Sequence, residues 1–179
     1  PDDINDKQPP GSGWTRENSM QIIRFTLNGE AVELGVDPGA TLLDVLREHF
    51  HLTGVKCGCR SGDCGACTVI MNGSTVNSCL VPMGKVEGAE VLTVEGLSKD
   101  GKPDVIQQAF MDQGSVQCGY CIPGMVMSAK ALLDANPNPD RQDIRAAIAG
   151  NICRCTGYVK IEAAIEQAAR ELRKQGETS

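Results

Sequence analysis

This sequence is short of several things, and each shortage excludes a class of function. No run approaches the roughly 18 consecutive apolar residues that a membrane-spanning helix needs, so membrane insertion is not expected. Positive charge is not in excess: 17 Lys and Arg stand against 23 Asp and Glu, a formal net charge of −6, which argues against nucleic acid and anionic membranes as partners. There is no Ser–His–Asp constellation, catalytic carboxylate pair or phosphate-binding loop, so no catalytic centre is expected in the chain itself. The opening residues carry no secretory pattern and no twin arginine, and the expected compartment is the cytoplasm.

What the chain has in quantity is cysteine. Nine occur, at Cys57, Cys59, Cys64, Cys67, Cys79, Cys118, Cys121, Cys153 and Cys155. An odd number without an export signal disfavours a disulfide scaffold, and in a reducing compartment such thiols point to metal binding or redox chemistry. The rest of the composition is ordinary, with 41% apolar and 22% charged residues in 179. That length supports one or two domains with real cores.

The pattern divides the chain. Residues 1–19 are polar, rich in Pro and Gly and aperiodic, and read as a disordered arm in which Trp14 is incidental. From Gln21 onward Ile23, Phe25 and Leu27 alternate, Asn28-Gly29 supplies a two-residue turn, and Val32, Leu34 and Val36 alternate again. Thr41 and Asp44 fit a helix cap, with Leu42, Leu46, His49 and Phe50 on one face. The stretch TVIMNGSTV (68–76) repeats the hairpin signal, and EVLTV (90–94) reads as one more strand. Residues 95–104 look like a connection, with the linker proper at 98–102.

Four helical stripes follow. Val105, Ile106, Ala109 and Phe110 form the first, ended by Gly114; Pro123 opens the second, bearing Val126, Ala129 and Leu133. Asp140 and Asp143 cap a third with Ile144 and Ile148, and Ile161, Ile165, Ala168 and Leu172 mark a fourth that should end before Gly176. The expected fold class is α+β: a small hairpin–helix–hairpin domain over 20–97, then an all-α domain, a compact bundle of four helices, over 103–179.

Cys59, Cys64 and Cys67 stand at C-x4-C-x2-C, with Cys79 after eleven further residues, the plant-type [2Fe–2S] spacing. Three thiolates in one loop need tight turns and inward N–H groups, and Gly58, Gly62 and Gly65 fall where such a loop requires them. Structural zinc usually takes its cysteines from separate turns, so the spacing favours a cluster. Cys118-x2-Cys121 and, 31 residues on, Cys153-x-Cys155 suit either zinc or a cluster. Beside a first cluster, the second set makes a relay.

The stretches TGVKCGCRSGDCGACTV, VQCGYCIPGM and GNICRCTGY resemble the motifs of the small iron–sulfur subunit of the molybdenum hydroxylases, the xanthine dehydrogenase and aldehyde oxidoreductase family. The resemblance runs from about Gln21 to Ala169 and includes all eight ligand positions in order. It implies a plant-ferredoxin-like β-grasp domain followed by a four-helix-bundle [2Fe–2S] domain. It also implies an electron-transfer subunit that serves a large molybdopterin-binding partner and a FAD-binding partner or another acceptor. The cluster of the helical domain would lie nearer the pterin, with Gln117 and Cys155 hydrogen-bonded to it. Read from the residues alone, Gln117 is equally a solvated or packing glutamine. Ile122 stands where the family often has threonine.

Other residues carry plainer expectations. Cys57 is the spare thiol, packing as a small hydrophobe. His49 should pack on its helix and His51 lie exposed, while Tyr120 and Tyr158 should pack between helices. Met125 and Met127 should be core or interface. Arg60 and Arg154, beside cysteines, either offset cluster charge or lie free at a surface.

Overall fold

Two Asn-Gly turns organise the sheet. Asn28 and Gly29 have φ of 52° and 86°, and Asn72 and Gly73 have 51° and 79°, the geometry whose twist matches that of paired strands. The first turn joins β1 (Gln21–Leu27) to β2 (Glu30–Val36), and the second joins β3 (Thr68–Met71) to β4 (Ser74–Asn77). The computed structural model describes residues 20–177; the arm expected over 1–19, with Trp14, lies outside the described residues. Strand β5 (Glu90–Leu92) lies between the hairpins, parallel to β1 and antiparallel to β3, so the order is β2-β1-β5-β3-β4. It stops two residues short of the expected strand because Val94–Leu97 turn into a 3-10 helix.

Helix α1 (Leu42–Glu48) covers this sheet. The Thr41 hydroxyl oxygen accepts from the Asp44 amide at 3.2 Å, satisfying one of the free N–H groups of the first turn. Leu42, Leu43, Val45 and Leu46 are buried, a broader face than the expected stripe. His49 does not share it: the helix ends at Glu48 and His49 is its exposed C-cap. Phe50 meets the Phe25 ring edge-on with centroids 6.2 Å apart, a favoured aromatic geometry.

The second half holds α2 (Val105–Asp112), α3 (Ile122–Ala135), α4 (Arg141–Ile148) and α5 (Val159–Glu177). Asp104 and Asp140 form reciprocal capping boxes with Gln107 and Asp143. Pro123 occupies the first turn of α3, where its missing N–H costs nothing. Helix α5 runs through Gly176 instead of stopping before it; one glycine near a solvated end costs only about 1 kcal/mol. Helix α2 packs on α3 and α5, and α4 packs on α3 and α5. Phe110, Met125, Ile144, Ile161 and Ile165 are fully buried among them, each such side chain contributing roughly 1.5–3 kcal/mol.

The two cores meet at β3. Val69 belongs to the core between sheet and α1, while Ile70, pointing to the other face, belongs to the helical core. The helices therefore sit directly on the sheet. The expected linker is also structured: Lys99 and Lys102 exchange backbone hydrogen bonds of 3.1 and 2.9 Å around Asp100 and Gly101, both at positive φ. No helix among the described residues is long and apolar enough to cross a membrane.

Candidate metal centres

The loop between α1 and β3 carries Cys59, Cys64 and Cys67, and Cys79 joins them from a 3-10 turn, Ser78–Leu80, after β4. That turn is tied to the loop because the Ser78 amide and hydroxyl both donate to the Cys67 carbonyl, at 3.3 and 2.8 Å. Gly62 and Gly65 have positive φ, 86° and 66°, as a tight loop demands. Gly58 does not, and the reason for glycine there is space: a Cβ would lie 2.6 Å from the Cys64 sulfur. Arg60 is not free: it pairs with Asp44 and also interacts with the Cys57 thiol. Its guanidinium donates to both Asp44 carboxylate oxygens, at 3.0 and 2.8 Å, pinning the loop to α1 with the bidentate geometry that suits arginine. The pair holds the Asp44 carboxyl below its usual range and raises Arg60.

The thiols of this loop feel one another and the surrounding amides. The Ser61 hydroxyl and amide, the latter 3.4 Å from sulfur, together with the Cys64 amide draw Cys59 down to about 6. Burial, then the adjacent Cys67 thiol, pushes Cys79 up to about 11, against the pull of the Gly62 amide. Cys59 is exposed, whereas Cys67 and Cys79 are buried.

Cys118 and Cys121 precede α3, and Cys153 and Cys155 lie in the turn between α4 and α5. The sulfurs of Cys118 and Cys155 are 3.6 Å apart, in contact and well beyond the ~2.05 Å of a disulfide. The hydrogen bond with Cys118 raises the Cys155 thiol. Burial pushes Cys121 up to about 12, with the Cys153 thiol adding to it. Burial also pushes Cys153 up, but the Thr156 hydroxyl and amide, 3.1 and 3.4 Å from its sulfur, leave it lowered. All four cysteines line one cavity of about 200 Å³, and Gly58 and Cys64 of the first group form part of its wall.

The thiols thus interact in pairs: Cys59 with Cys64, Cys67 with Cys79, Cys118 with Cys155, and Cys121 with Cys153. Among the described residues no three His, Cys, Asp or Glu side chains close on a single ion. Paired thiolates with inward amides are the donor set of a two-iron cluster, which takes four cysteines. Cys57 stands outside the pairs, half-buried against the sheet core.

The remaining residues fall as follows. Gln117, Cys118, Arg154 and Cys155 are exposed, as is His51; Met125 and Met127 are buried in the helical core. Tyr120 does not pack between helices: it is 47% exposed and its hydroxyl donates to the Cys57 carbonyl at 2.5 Å, joining the two cysteine regions. Tyr158 is half-buried against the helical core, its hydroxyl accepting from the Cys153 amide at 2.8 Å. No spacing or periodicity singles out Asn151. It is 4% exposed and its side-chain amide reaches the Gly65 carbonyl at 2.9 Å.

Comparison with known proteins agrees with this geometry. Residues 25–93 match the family described as a 2Fe-2S iron-sulfur cluster binding domain, and residues 93–166 match the [2Fe-2S] binding domain. The chain is 53% identical over 146 residues to the nicotinate dehydrogenase small FeS subunit of Eubacterium barkeri, covering 82% of this chain and 93% of that one. It is 44% identical over 150 residues to the nicotine 6-hydroxylase small subunit of Paenarthrobacter nicotinovorans, covering 84% and 90%. Among solved structures, quinoline 2-oxidoreductase from Pseudomonas putida 86 superposes with a TM-score of 0.84 at 40% identity, over 88% of this chain and 98% of that chain. The aldehyde oxidoreductase from Desulfovibrio desulfuricans gives 0.85 at 45% identity, over 87% of this chain but 18% of that longer one. The chain belongs to the family of small iron–sulfur subunits of the molybdenum hydroxylases.

Proposed function

We propose that Cys59, Cys64, Cys67 and Cys79 hold one [2Fe–2S] cluster and that Cys118, Cys121, Cys153 and Cys155 hold a second. The chain would then relay electrons from a molybdopterin centre on a large partner chain to FAD or another acceptor. Each cluster, when bound, supplies a site that takes up and gives back one electron at a time. The observation that carries this reading is that the four thiols of the second group line one cavity whose wall includes Gly58 and Cys64 of the first, while Cys59 of the first group and Cys118 and Cys155 of the second are exposed.

The chain's residues prepare both ends of such a relay. Amides of Ser61, Gly62 and Thr156 point at sulfur, which stabilises thiolate and offsets the negative charge of a bound cluster. Exposed apolar side chains stand beside each group: Leu80 next to Cys79, and Val116, Tyr120 and Ile152 around the second set. A groove of about 470 Å³, lined by Phe110, Met111, Val116, Ile122 and Val126, continues that surface. We take Gln117 and Cys155, both exposed, to face the pterin of the large chain, and Cys59 and Leu80 to face the acceptor. The domain division follows the same reading: a ferredoxin-like unit over 20–97, the connection at 98–102, and the helices from 103 as a four-helix bundle. Substrate choice belongs to the partner, and the oxidoreductase activity to the assembly.

Native mass spectrometry of protein purified from its own source tests this. The expected assembly contains a large molybdopterin-binding chain and a flavin-binding chain, with an interface of well over ~2,000 Å². In that assembly substrate should reduce both clusters, and the isolated chain should be inert to it. A partnerless monomer reduced and reoxidised freely by soluble reductases would instead mark a freestanding carrier.

A further inference from the structure

We infer that Asn151 is a positioning residue for electron transfer between the two cysteine groups. Its buried amide locks the Gly65 carbonyl, and with it Cys64, against the backbone that carries Cys153. This rests on the two-cluster reading above.

Every polar atom of the Asn151 side chain is used. Its Nδ2 donates to the Gly65 carbonyl at 2.9 Å and to Thr68 Oγ1 at 3.2 Å, and its Oδ1 accepts from the Ser128 hydroxyl at 2.7 Å. Ser128 lies on α3, Thr68 opens β3 and Gly65 lies among the cysteines, so one amide joins the helical core, the sheet and the cysteine loop. The approach is close: a Cβ at Gly65 would lie 2.3 Å from the Gly150 carbonyl and 2.6 Å from Asn151 Nδ2. The next residue, Ile152, then donates its amide to the Cys64 carbonyl at 2.9 Å. Cys64 and Cys153 are thereby connected through backbone atoms with one hydrogen bond between them. Electronic coupling through bonded atoms exceeds coupling across a gap, so whatever holds that hydrogen bond governs transfer.

The amide is suited to fixing distance, and its removal should leave a folded chain. Thr68, Ser128 and Asn151 also line a cleft of about 240 Å³. Water from that cleft can replace a missing amide at the Gly65 carbonyl, satisfying the acceptor. It cannot tie the carbonyl to the segment ahead of Cys153.

The test uses the full assembly with Asn151→Ala and Ser128→Ala. The readouts are iron content, the two midpoint potentials, the spin–spin splitting between the reduced clusters in low-temperature EPR, and hydrogen exchange of the peptide containing Ile152. Asn151→Ala should keep its iron and both potentials and lose the splitting. Exchange at Ile152 should rise on the order of tenfold, one hydrogen bond of ~1.4 kcal/mol. Ser128→Ala should narrow the splitting. Wild-type splitting with wild-type exchange in Asn151→Ala overturns the inference. Should that variant not assemble, unchanged splitting and exchange in Ser128→Ala overturn it as well. A wild-type assembly without two paramagnetic clusters would instead defeat the cluster reading, while unchanged Ile152 exchange would defeat the positioning role on its own.

Discussion

The Ile152 amide donates to the Cys64 carbonyl at 2.9 Å. Ile152 directly precedes Cys153, and Cys64 sits in the loop ahead of β3, so a thiol of the helical half and a thiol of the sheet half hang from backbones bonded to each other. This contact is reinforced by Tyr120 on the Cys57 carbonyl and by Asn151 on the Gly65 carbonyl. All three acceptors are backbone carbonyls of the cysteine loop, so these ties between the halves use none of its sulfurs.

The proposed ligand assignment predicts which replacements remove which signal. Replacing Cys59, Cys64, Cys67 or Cys79 with Ser should abolish one EPR signal, and replacing Cys118, Cys121, Cys153 or Cys155 should abolish the other. Cys57→Ser should leave both, because Cys57 packs against the sheet core and interacts with Arg60 rather than with the four thiols. Loss of a signal in Cys57→Ser with its retention in Cys59→Ser would shift the register of the loop.

Gly124→Ala tests the closeness of the two halves. Alanine is the better helix former by about 1 kcal/mol, yet a Cβ here would stand 2.3 Å from the Gly65 carbonyl oxygen. Backbone has to move to relieve that overlap, and a net loss of roughly 1–3 kcal/mol is expected in chemical denaturation of the full chain. A stabilised variant would contradict the packing of α3 on the cysteine loop.

Acid should loosen α4 from α5. Glu162, 6% exposed, accepts from Arg145 at 2.9 Å and from Arg141 at 2.8 Å, and the Arg145 bond first, then Arg141, holds its carboxyl below the usual range despite burial. A carboxyl depressed by folding stabilises the fold above its unfolded pKa and stops doing so as pH falls through the folded value. Glu162→Gln should therefore cost roughly 1.5–3 kcal/mol near neutrality. The gap to wild type should close as pH drops below about 4.3. A gap that stays constant through that range would show the loss to be packing and not charge.

Much of the fold can be read from local chemistry. Asn28-Gly29 and Asn72-Gly73 announce hairpins because few other pairs tolerate two successive positive φ values. Thr41 and Asp140 announce helix starts because their side-chain oxygens satisfy free amides. What cannot be read depends on contacts between distant residues. The insertion of β5 between β1 and β3, the role of Gly58 as room for the Cys64 sulfur, and the reach of Tyr120 and Asn151 across the two halves have no sequence period. His49 and Gly176 depart from expectation for a related reason, since a helix end is set by small local balances. The cysteines are legible because Cys59, Cys64 and Cys67 stand at a set spacing in one loop and those of the helical half come in two close pairs.

Anaerobic determination of iron and acid-labile sulfide, with EPR of the reduced chain, tests the central claim most directly. Two sets of four thiolates should hold about four iron and four sulfide per chain, seen as two distinct [2Fe–2S] signals. Stoichiometric zinc with no visible absorbance, or two irons with a single signal, would contradict it.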